Sequence, residues 1–206
     1  MGHGSDALAT YRRKRDFRRT PEPGSDRKRQ RQEESAESSP QFVVQVHDAS
    51  SMHFDFRLEA DGVLKSWAIP KGPSADPSEK RLAMPTEDHP LEYGEFEGVV
   101  PPGQYGSGTV IVWDQGTYSN LSERDGEPVP VAEALAKGHL SFALHGKKLH
   151  GGYALTRFRD GEDEAWLLVK RADRRQTKKG GRSEPVPARL RSVLTGRTLK
   201  QVAAGQ

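Results

Sequence analysis

From Gln41 onward, apolar and polar residues alternate in short runs along most of the chain. Such runs, rich in β-branched and aromatic residues and bounded by Gly, Pro, Asp or Asn, are typical of β-strands. The pattern predicts strands at 41–48, 53–60, 63–69, 81–88, 93–99, 108–115, 139–145, 152–159 and 165–171. Short helical patterns occur at 131–137 and 188–194. The pair Asp61-Gly62 predicts a tight hairpin turn between two of the strands.

Many short strands separated by turn residues predict an all-β fold, either a β-barrel or a β-sandwich. The first 40 residues lack strand periodicity and form a basic N-terminal arm. Within this arm, 8–19 has the pattern of a short helix or ordered segment, and 21–40 that of a flexible linker. We therefore expect an arm at 1–40, a barrel domain at 41–171 and a basic tail with a short helix at 172–206.

Composition restricts both the fold and the possible chemistry. Of the 206 residues, 33% are hydrophobic and 30% are charged, which suits one compact domain with solvated arms. The formal net charge is only +3, but basic residues cluster at 12–19 and 170–182, where they form either solvated tails or nucleic-acid contacts. The absence of cysteine excludes a disulfide framework and a thiolate nucleophile. With neither a long apolar run nor a signal peptide, we expect a cytoplasmic protein with no membrane partner.

The segment 47–59 carries the most informative polar pattern. In a strand, alternate side chains point to opposite faces, so three apolar residues share the buried face: Phe54, Phe56 and Leu58. The opposite face carries four polar residues: His53, Asp55, Arg57 and Glu59. A turn at 48–51 would fold the preceding strand onto this one and bring His47 to the same polar surface.

Two imidazoles and one carboxylate on adjacent strands predict a three-ligand metal site with open positions. The ligand types suit Mn²⁺, Zn²⁺, Fe²⁺ or similar ions. Arg57 cannot bind a cation, but its planar fork suits an anionic oxygen group beside the metal, such as a phosphate. The alternative is an outward polar edge with incidental histidines.

A second polar cluster lies at 87–93. Pro90 disfavours helical geometry at His89, which places His89 at the end of a strand. There it can serve as a phosphate ligand or as a proton donor to a leaving oxygen, with Tyr93 as a further hydroxyl donor. The alternative for His89 is a satisfied surface or turn histidine. The glycine-rich loop 100–108 precedes a strand and lacks a following Lys-Ser or Lys-Thr, so it is not a nucleotide P-loop.

Several strings in the chain resemble the 3′-phosphoesterase domain of bacterial ATP-dependent DNA ligase D. They are YRRKRDFRRTPEP, FVVQVHDASSMHFDFRLE, LKSWAIPKGP, RLAMPTEDHPLEYGEFEG, GQYGSGTVIVWDQG and KGHLSFALHGKKL. The resemblance implies a compact β-barrel with short peripheral helices and a concave polar active-site face. It also implies a divalent metal, typically Mn²⁺, with Zn²⁺ or Co²⁺ as alternatives. The implied activity removes a 3′-terminal ribonucleoside and then the 3′-phosphate, leaving a 3′-hydroxyl for non-homologous end joining.

The resemblance also implies roles for individual residues. His47, His53 and Asp55 would bind the metal, and Arg57 and His89 the scissile phosphate, with His89 and Tyr93 more important for the phosphomonoester step. The surrounding polar residues would be Gln45, Lys71, Arg81 and Glu87. Residues 11–22 would order over the site, with Arg15, Asp16 and Glu22 completing it.

The implied partners are DNA or RNA/DNA primer-template 3′ ends, together with the ligase, polymerase and Ku proteins of bacterial end joining. We expect a monomer, used at the bacterial or archaeal nucleoid, that is either stand-alone or excised from a larger ligase. Two other functions are compatible with the residues. One is a non-catalytic nucleic-acid-binding barrel stabilised by a metal. The other is a non-heme iron oxygenase, since two histidines and a carboxylate also form that class's metal triad.

Overall fold

A computed structural model describes residues 6–24, 39–172 and 190–205 of the chain. Its longer strands are β1 Gln41–Asp48, β2 Met52–Ala60, β3 Val63–Ile69, β4 Lys80–His89, β6 Gly108–Asn120, β9 His139–Gly146, β10 His150–Arg159 and β11 Ala165–Lys170. The short strands are β5 Gly98–Val100, β7 Glu123–Arg124 and β8 Glu127–Pro128. The helices are α1 Ala9–Arg13, α2 Val131–Ala136, α3 Leu199–Ala203 and a 3-10 helix at Leu91–Glu95.

The eight longer strands form a closed barrel. Their order is β1-β2-β3-β4-β11-β10-β9-β6, and β6 pairs back with β1 to complete the ring. Every neighbouring pair is antiparallel. The predicted all-β fold is thereby confirmed, and of the two predicted architectures the barrel is correct. β5 pairs with β6, and β7 and β8 form a separate two-stranded ribbon.

Eight of the nine predicted strands are confirmed, with ends that differ by a few residues. The predicted turn between β2 and β3 is also confirmed. Asp61 and Gly62 adopt φ values of 51° and 74°, the left-handed conformation that a two-residue hairpin turn requires. The predicted helix at 131–137 is present as α2, and the ordered segment expected at 8–19 contains α1.

Two predicted elements are wrong. The strand expected at 93–99 is a 3-10 helix after Pro90, followed by the short β5. The helix expected at 188–194 is absent from the described part, 190–194. There the Ser192 hydroxyl accepts hydrogen bonds from the backbone N–H groups of Leu194 and Thr195 and so forms a turn. The final helix is α3, further along. The linker expected at 21–40 and the basic run at 170–182 fall mainly on 25–38 and 173–189, outside the described residues.

Two apolar clusters hold the fold together. The larger one fills the barrel and includes three tryptophans, Trp67, Trp113 and Trp166. The smaller one lies outside the barrel wall, where residues of α1 and the 3-10 helix pack on β1, β3 and β6. β1 is therefore buried on both faces from 42 to 47. The polar face predicted as a surface is in fact covered.

None of the helices within the described ranges has the length and apolar character of a membrane-spanning segment.

Candidate active site

The metal ligands predicted from the sequence lie together on the β1–β2 hairpin. His47 is the direct cross-strand neighbour of His53, and Gln45 that of Asp55, so all four side chains share one face. One ligand atom from each of His47, His53 and Asp55 lies within 4.8 Å of the others. Nδ1 of His47 lies 3.7 Å from one Asp55 carboxylate oxygen, and Nε2 of His53 lies 3.8 Å from the other.

The surroundings orient the two imidazoles. Nδ1 of His53 lies 3.0 Å from the backbone carbonyl oxygen of Ser51, to which it can donate a hydrogen bond. This bond leaves the lone pair of Nε2 toward Asp55, the arrangement expected for a metal-binding histidine. Gly108 allows β6 to pass over His47, because a Cβ atom there would lie 2.9 Å from His47 Nε2 and would clash with the backbone oxygen of Asp48. Two nitrogens and a carboxylate without sulfur suit a divalent metal, and this buried group can hold one.

Arg57 connects this group to the rest of the site. It is 2% exposed, and each of its three nitrogens has a partner. Nε donates to Gln45 Oε1 at 2.9 Å, and the terminal nitrogens donate to Asp55 Oδ2 at 3.1 Å and to Ser66 Oγ at 2.8 Å. Burial alone would raise the pKa of Asp55, but Arg57 and the two histidines hold it below its usual range. Asp55 is therefore ionised and ready to bind a cation.

Gln45 supports Arg57 from beneath. Its side chain is fully buried, and its amide nitrogen donates to the backbone carbonyls of Tyr93 and Phe96, at 2.9 and 3.0 Å. Because the amide oxygen accepts from Arg57, Gln45 joins β1, β2 and the 3-10 helix. It positions the guanidinium and does not line the cavity.

His89 reaches the site through an irregularity in β4. The pairing of β3 with β4 shifts between Leu64, which faces His89, and Ser66, which faces Thr86. The extra residue in β4 is a bulge, which re-aims the side chains that follow. His89 Nδ1 then lies 3.0 Å from a terminal nitrogen of Arg57, and Nε2 lies 3.4 Å from a terminal nitrogen of Arg15.

Burial and these two guanidinium groups lower the pKa of His89 well below its usual range. The ring is therefore neutral, with one N–H and one lone pair. Tyr93 packs edge-on against it, with ring centroids 4.7 Å apart. Burial and the nearby Glu22 raise the pKa of Tyr93 well above its usual range, so its hydroxyl stays protonated.

The N-terminal arm covers the site through an ion-pair network. Arg15 donates to Glu22 through Nε and to Glu87 through Nη1, both at 2.9 Å. Tyr93 donates its hydroxyl to the same oxygen of Glu22 at 3.1 Å. Tyr11 lies beneath the guanidinium of Arg15, with its ring centroid 3.9 Å from the Arg15 Cζ. The arm thereby contributes side chains to a site built mainly on strands.

A cavity of about 290 Å³ brings most of the predicted site residues together. Its wall includes Arg15, Glu22, His47, His53, Asp55, Arg57, Glu87, His89 and Tyr93. Gln45 lies beneath Arg57, outside this wall, and three further predicted residues lie elsewhere. Lys71 is exposed beyond the end of β3. Arg81 of β4 pairs with Leu168 of β11 and forms an ion pair with Glu79. Asp16 bonds Arg18 on the exposed side of the arm.

Other residues of the site were not predicted from the sequence. Ser66 accepts a hydrogen bond from Arg57, and Tyr11 packs against both Arg15 and His89. The cavity wall also includes Thr86, Tyr105 and Gly106. The strand pattern gave a signal for Ser66, since Ser66 pairs with Arg57 in the β2–β3 hairpin. No comparable signal marked Tyr11, because its place depends on long-range packing.

The fold and site define a closed β-barrel with a candidate metal centre beside a buried arginine and a neutral histidine. The chain belongs to the family of the DNA ligase D 3′-phosphoesterase domain, whose family model matches residues 45–157. Among curated proteins, it is 48% identical over 196 residues to the multifunctional non-homologous end joining protein LigD of Pseudomonas aeruginosa, covering 95% of this chain and 22% of the relative.

Mycobacterial relatives show the same relationship. The multifunctional non-homologous end joining DNA repair protein LigD of Mycobacterium tuberculosis is 41% identical, with 84% of this chain and 21% of the relative covered. The corresponding LigD protein of Mycolicibacterium smegmatis is 37% identical, with 84% and 22% covered. The chain thus spans about a fifth of the length of these relatives.

Proposed function

We propose that this chain is a metal-dependent phosphoesterase that processes DNA 3′ ends. It removes a 3′-terminal ribonucleoside, then the 3′-phosphate left behind, and leaves a 3′-hydroxyl for non-homologous end joining. The observation that carries the proposal is the hydrogen bond from Arg57 to Asp55, which places an anion-binding guanidinium directly beside the candidate metal ligands. Membership of the 3′-phosphoesterase family supports the same activity.

In this proposal His47, His53 and Asp55 hold a divalent metal, with Mn²⁺ as the first candidate and Zn²⁺ or Co²⁺ as alternatives. Such an ion supplies Lewis acidity toward phosphoryl oxygens and water. Arg57 binds the scissile phosphate and stabilises the charge that grows on its oxygens during attack. Attack by water displaces the 5′-oxygen of the terminal nucleoside and leaves a 3′-phosphate. Attack by the adjacent ribose 2′-hydroxyl would displace the same oxygen and leave a 2′,3′-cyclic phosphate, which water then opens. The guanidinium is preorganised for this role because Gln45 and Ser66 hold it in place.

His89, which lies between the guanidinium groups of Arg57 and Arg15, binds the same phosphate. In the free protein its neutral ring can donate from only one nitrogen at a time. A bound phosphate offsets the two guanidinium charges and so raises the pKa of His89. We propose that the ring then donates a hydrogen bond or a proton from Nε2 to a phosphate oxygen, which matters most for the doubly charged phosphomonoester. Tyr93 remains protonated and holds Glu22 beside Arg15.

The remaining predicted residues act at a distance from the phosphate. We propose that Glu87 and Glu22 fix Arg15 over the cavity, and that Lys71 contacts the primer strand beyond its terminal phosphate. Arg81 and Asp16, which bond Glu79 and Arg18, support the surrounding chain. The proposed partners are the ligase, polymerase and Ku proteins of bacterial end joining, and the proposed setting is the bacterial cytoplasm.

The test is cleavage of labelled primers that end in a 3′-ribonucleotide, a 3′-deoxynucleotide or a 3′-phosphate, across a panel of Mn²⁺, Co²⁺, Zn²⁺ and Mg²⁺. We expect metal-dependent trimming of the first and third primers to a 3′-hydroxyl. His53→Gln and Asp55→Asn should abolish both reactions, and His150→Gln, at an exposed histidine on β10, should not. Full activity of Asp55→Asn would refute the site.

Primer cleavage and binding, together with an assay of oxygen consumption, separate the two other functions. Binding of the primers without cleavage under any metal would favour a non-catalytic nucleic-acid-binding barrel. Consumption of oxygen with Fe²⁺ and a 2-oxoacid, without cleavage of the primers, would favour an oxygenase.

A further inference from the structure

An exposed aromatic residue stands at the mouth of the active-site cavity. Tyr105 is 48% exposed, yet it lines the same cavity as the metal ligands. The adjacent Gly106 lies over His47, since a Cβ atom at Gly106 would be 3.9 Å from His47 Cε1. Tyr105 therefore borders the space in which the terminal phosphate would bind.

Basic side chains of the arm hold Tyr105 in place. Lys14 Nζ donates to the Tyr105 hydroxyl at 2.9 Å and lies 4.3 Å from the ring centroid. It also donates to Glu87 at 3.1 Å, and the Cζ atom of Arg15 lies 5.5 Å from the Tyr105 ring centroid. These contacts fix the ring while nearly half of the side chain remains open to solvent.

We infer that Tyr105 is a stacking site for the 3′-terminal nucleobase of the substrate strand. The inference rests on the proposed function and adds a base-binding subsite to it. An aromatic ring beside a phosphate site and basic side chains is the arrangement by which proteins bind single-stranded nucleic acid without reading its sequence. Every base offers a face for stacking, so this subsite holds the end of the strand whatever its terminal base.

Stacking on Tyr105 would also distinguish the substrates of the two proposed reactions. Removal of a terminal ribonucleoside leaves a phosphate that carries no base beyond it. Tyr105 therefore contributes to binding of the strand that still carries its terminal nucleoside and contributes little to binding of the 3′-phosphate end. The subsite favours the diester step over the monoester step at the level of binding.

The test uses the full chain with Mn²⁺ and a primer whose last linkage is a non-cleavable methylenephosphonate. The fluorescent base 2-aminopurine is placed at the 3′-terminal nucleotide, and in a second primer at an internal position. With the wild type and Tyr105→Phe, we expect quenching of the terminal probe and a weaker change at the internal probe. Tyr105→Leu should lose the terminal quenching and weaken binding of this primer on the order of ten-fold.

Two controls separate stacking from a structural role. Phe158→Leu replaces an aromatic side chain of similar exposure (51%) on β10 and should bind like the wild type. A primer that ends in a non-hydrolysable 3′-phosphonate, which replaces the cleavable 3′-phosphate, should bind Tyr105→Leu and the wild type equally. Equal weakening on both primers would show that Tyr105 only anchors the arm, and unchanged terminal quenching in Tyr105→Leu would likewise overturn the inference. This test measures binding only. A lack of cleavage of the cleavable primers in the activity test would therefore count against the proposed function and not against the stacking site.

Discussion

A terminal nitrogen of Arg57 lies 3.0 Å from Nδ1 of His89. The contact joins two strands, β2 and β4, that are separated by β3 in the barrel wall. Through it the candidate metal group on one side and the arm-covered side of the cavity form one continuous network.

Replacement of Arg57 by lysine should remove the phosphate-binding fork. Lysine retains one positive charge but cannot bond Gln45, Ser66 and Asp55 together, as the guanidinium does. We expect kcat/KM on the 3′-ribonucleotide primer to fall on the order of 10²–10³-fold. The matched control is Arg124→Lys, at an exposed arginine of β7, which should be unaffected. Activity within two-fold of the wild type in Arg57→Lys would contradict the assigned role.

Binding of a metal to the hairpin should stabilise the folded protein. A ligand that binds only the native state adds about 2.7 kcal/mol when present at 100 times its Kd. We expect Mn²⁺ to raise the Tm of the wild type and of His150→Gln, but not that of His53→Gln. The measurement is a thermal melt with and without the ion after chelator treatment. An equal rise in all three proteins would place the ion elsewhere.

The stability of the protein should depend on pH through His89. The pKa of His89 in the folded protein is below its usual value. As the pH falls through about 6.5, His89 therefore becomes protonated in the unfolded chain while it stays neutral in the folded protein. Above this pH, the contribution of neutral His89 to the free energy of unfolding is fully present. It falls as the pH decreases, by at most about 1.4 kcal/mol per unit, until the folded ring is itself protonated.

The measurement is the free energy of unfolding in urea between pH 5 and 8, with a chelator present throughout. His89→Gln lacks this proton uptake, so its stability should fall less steeply toward acid than that of the wild type. Identical slopes in the two proteins would mean that the native environment does not disfavour protonation of His89.

Gln45→Leu tests the support beneath Arg57. Leucine fills a similar space but removes the partner that Gln45 supplies to Nε of Arg57 and to the carbonyl of Phe96. The carbonyl of Tyr93 loses Gln45 and keeps the backbone N–H of Phe96. A buried polar group left unpaired costs about 1–3 kcal/mol, so chemical denaturation should show at least this loss. Gln41→Leu, at an exposed residue at the start of the same strand, is the control. An unchanged free energy of unfolding would refute the positioning role.

The metal group was predictable because its geometry is local. The period of two along β1 and β2, together with a short turn, is sufficient to place His47, His53 and Asp55 on one face. The cover over this face was not predictable from the same pattern. It depends on contacts between residues far apart in the chain, such as the ion pair between Lys14 and Glu87.

The features near β4 show why strand alternation alone is insufficient. Regular alternation would place Thr86 and His89 on opposite faces, yet both line the cavity because the bulge adds a residue between them. The alternation of apolar and polar residues in β4 does not indicate where this bulge lies. Conversely, the register that places Arg81 opposite Leu168 requires knowledge of which strand follows β4 in the barrel.

The three candidate metal ligands come from one short hairpin that the barrel already holds in register. An ion bound there would cross-link residues that the sheet has already brought together. Binding the ion would therefore cost almost no further loss of backbone entropy for closing the loop between the ligands. Its contribution would instead come from the coordination bonds themselves. Release of such an ion through the cavity would break none of the hydrogen bonds that pair β1 with β2.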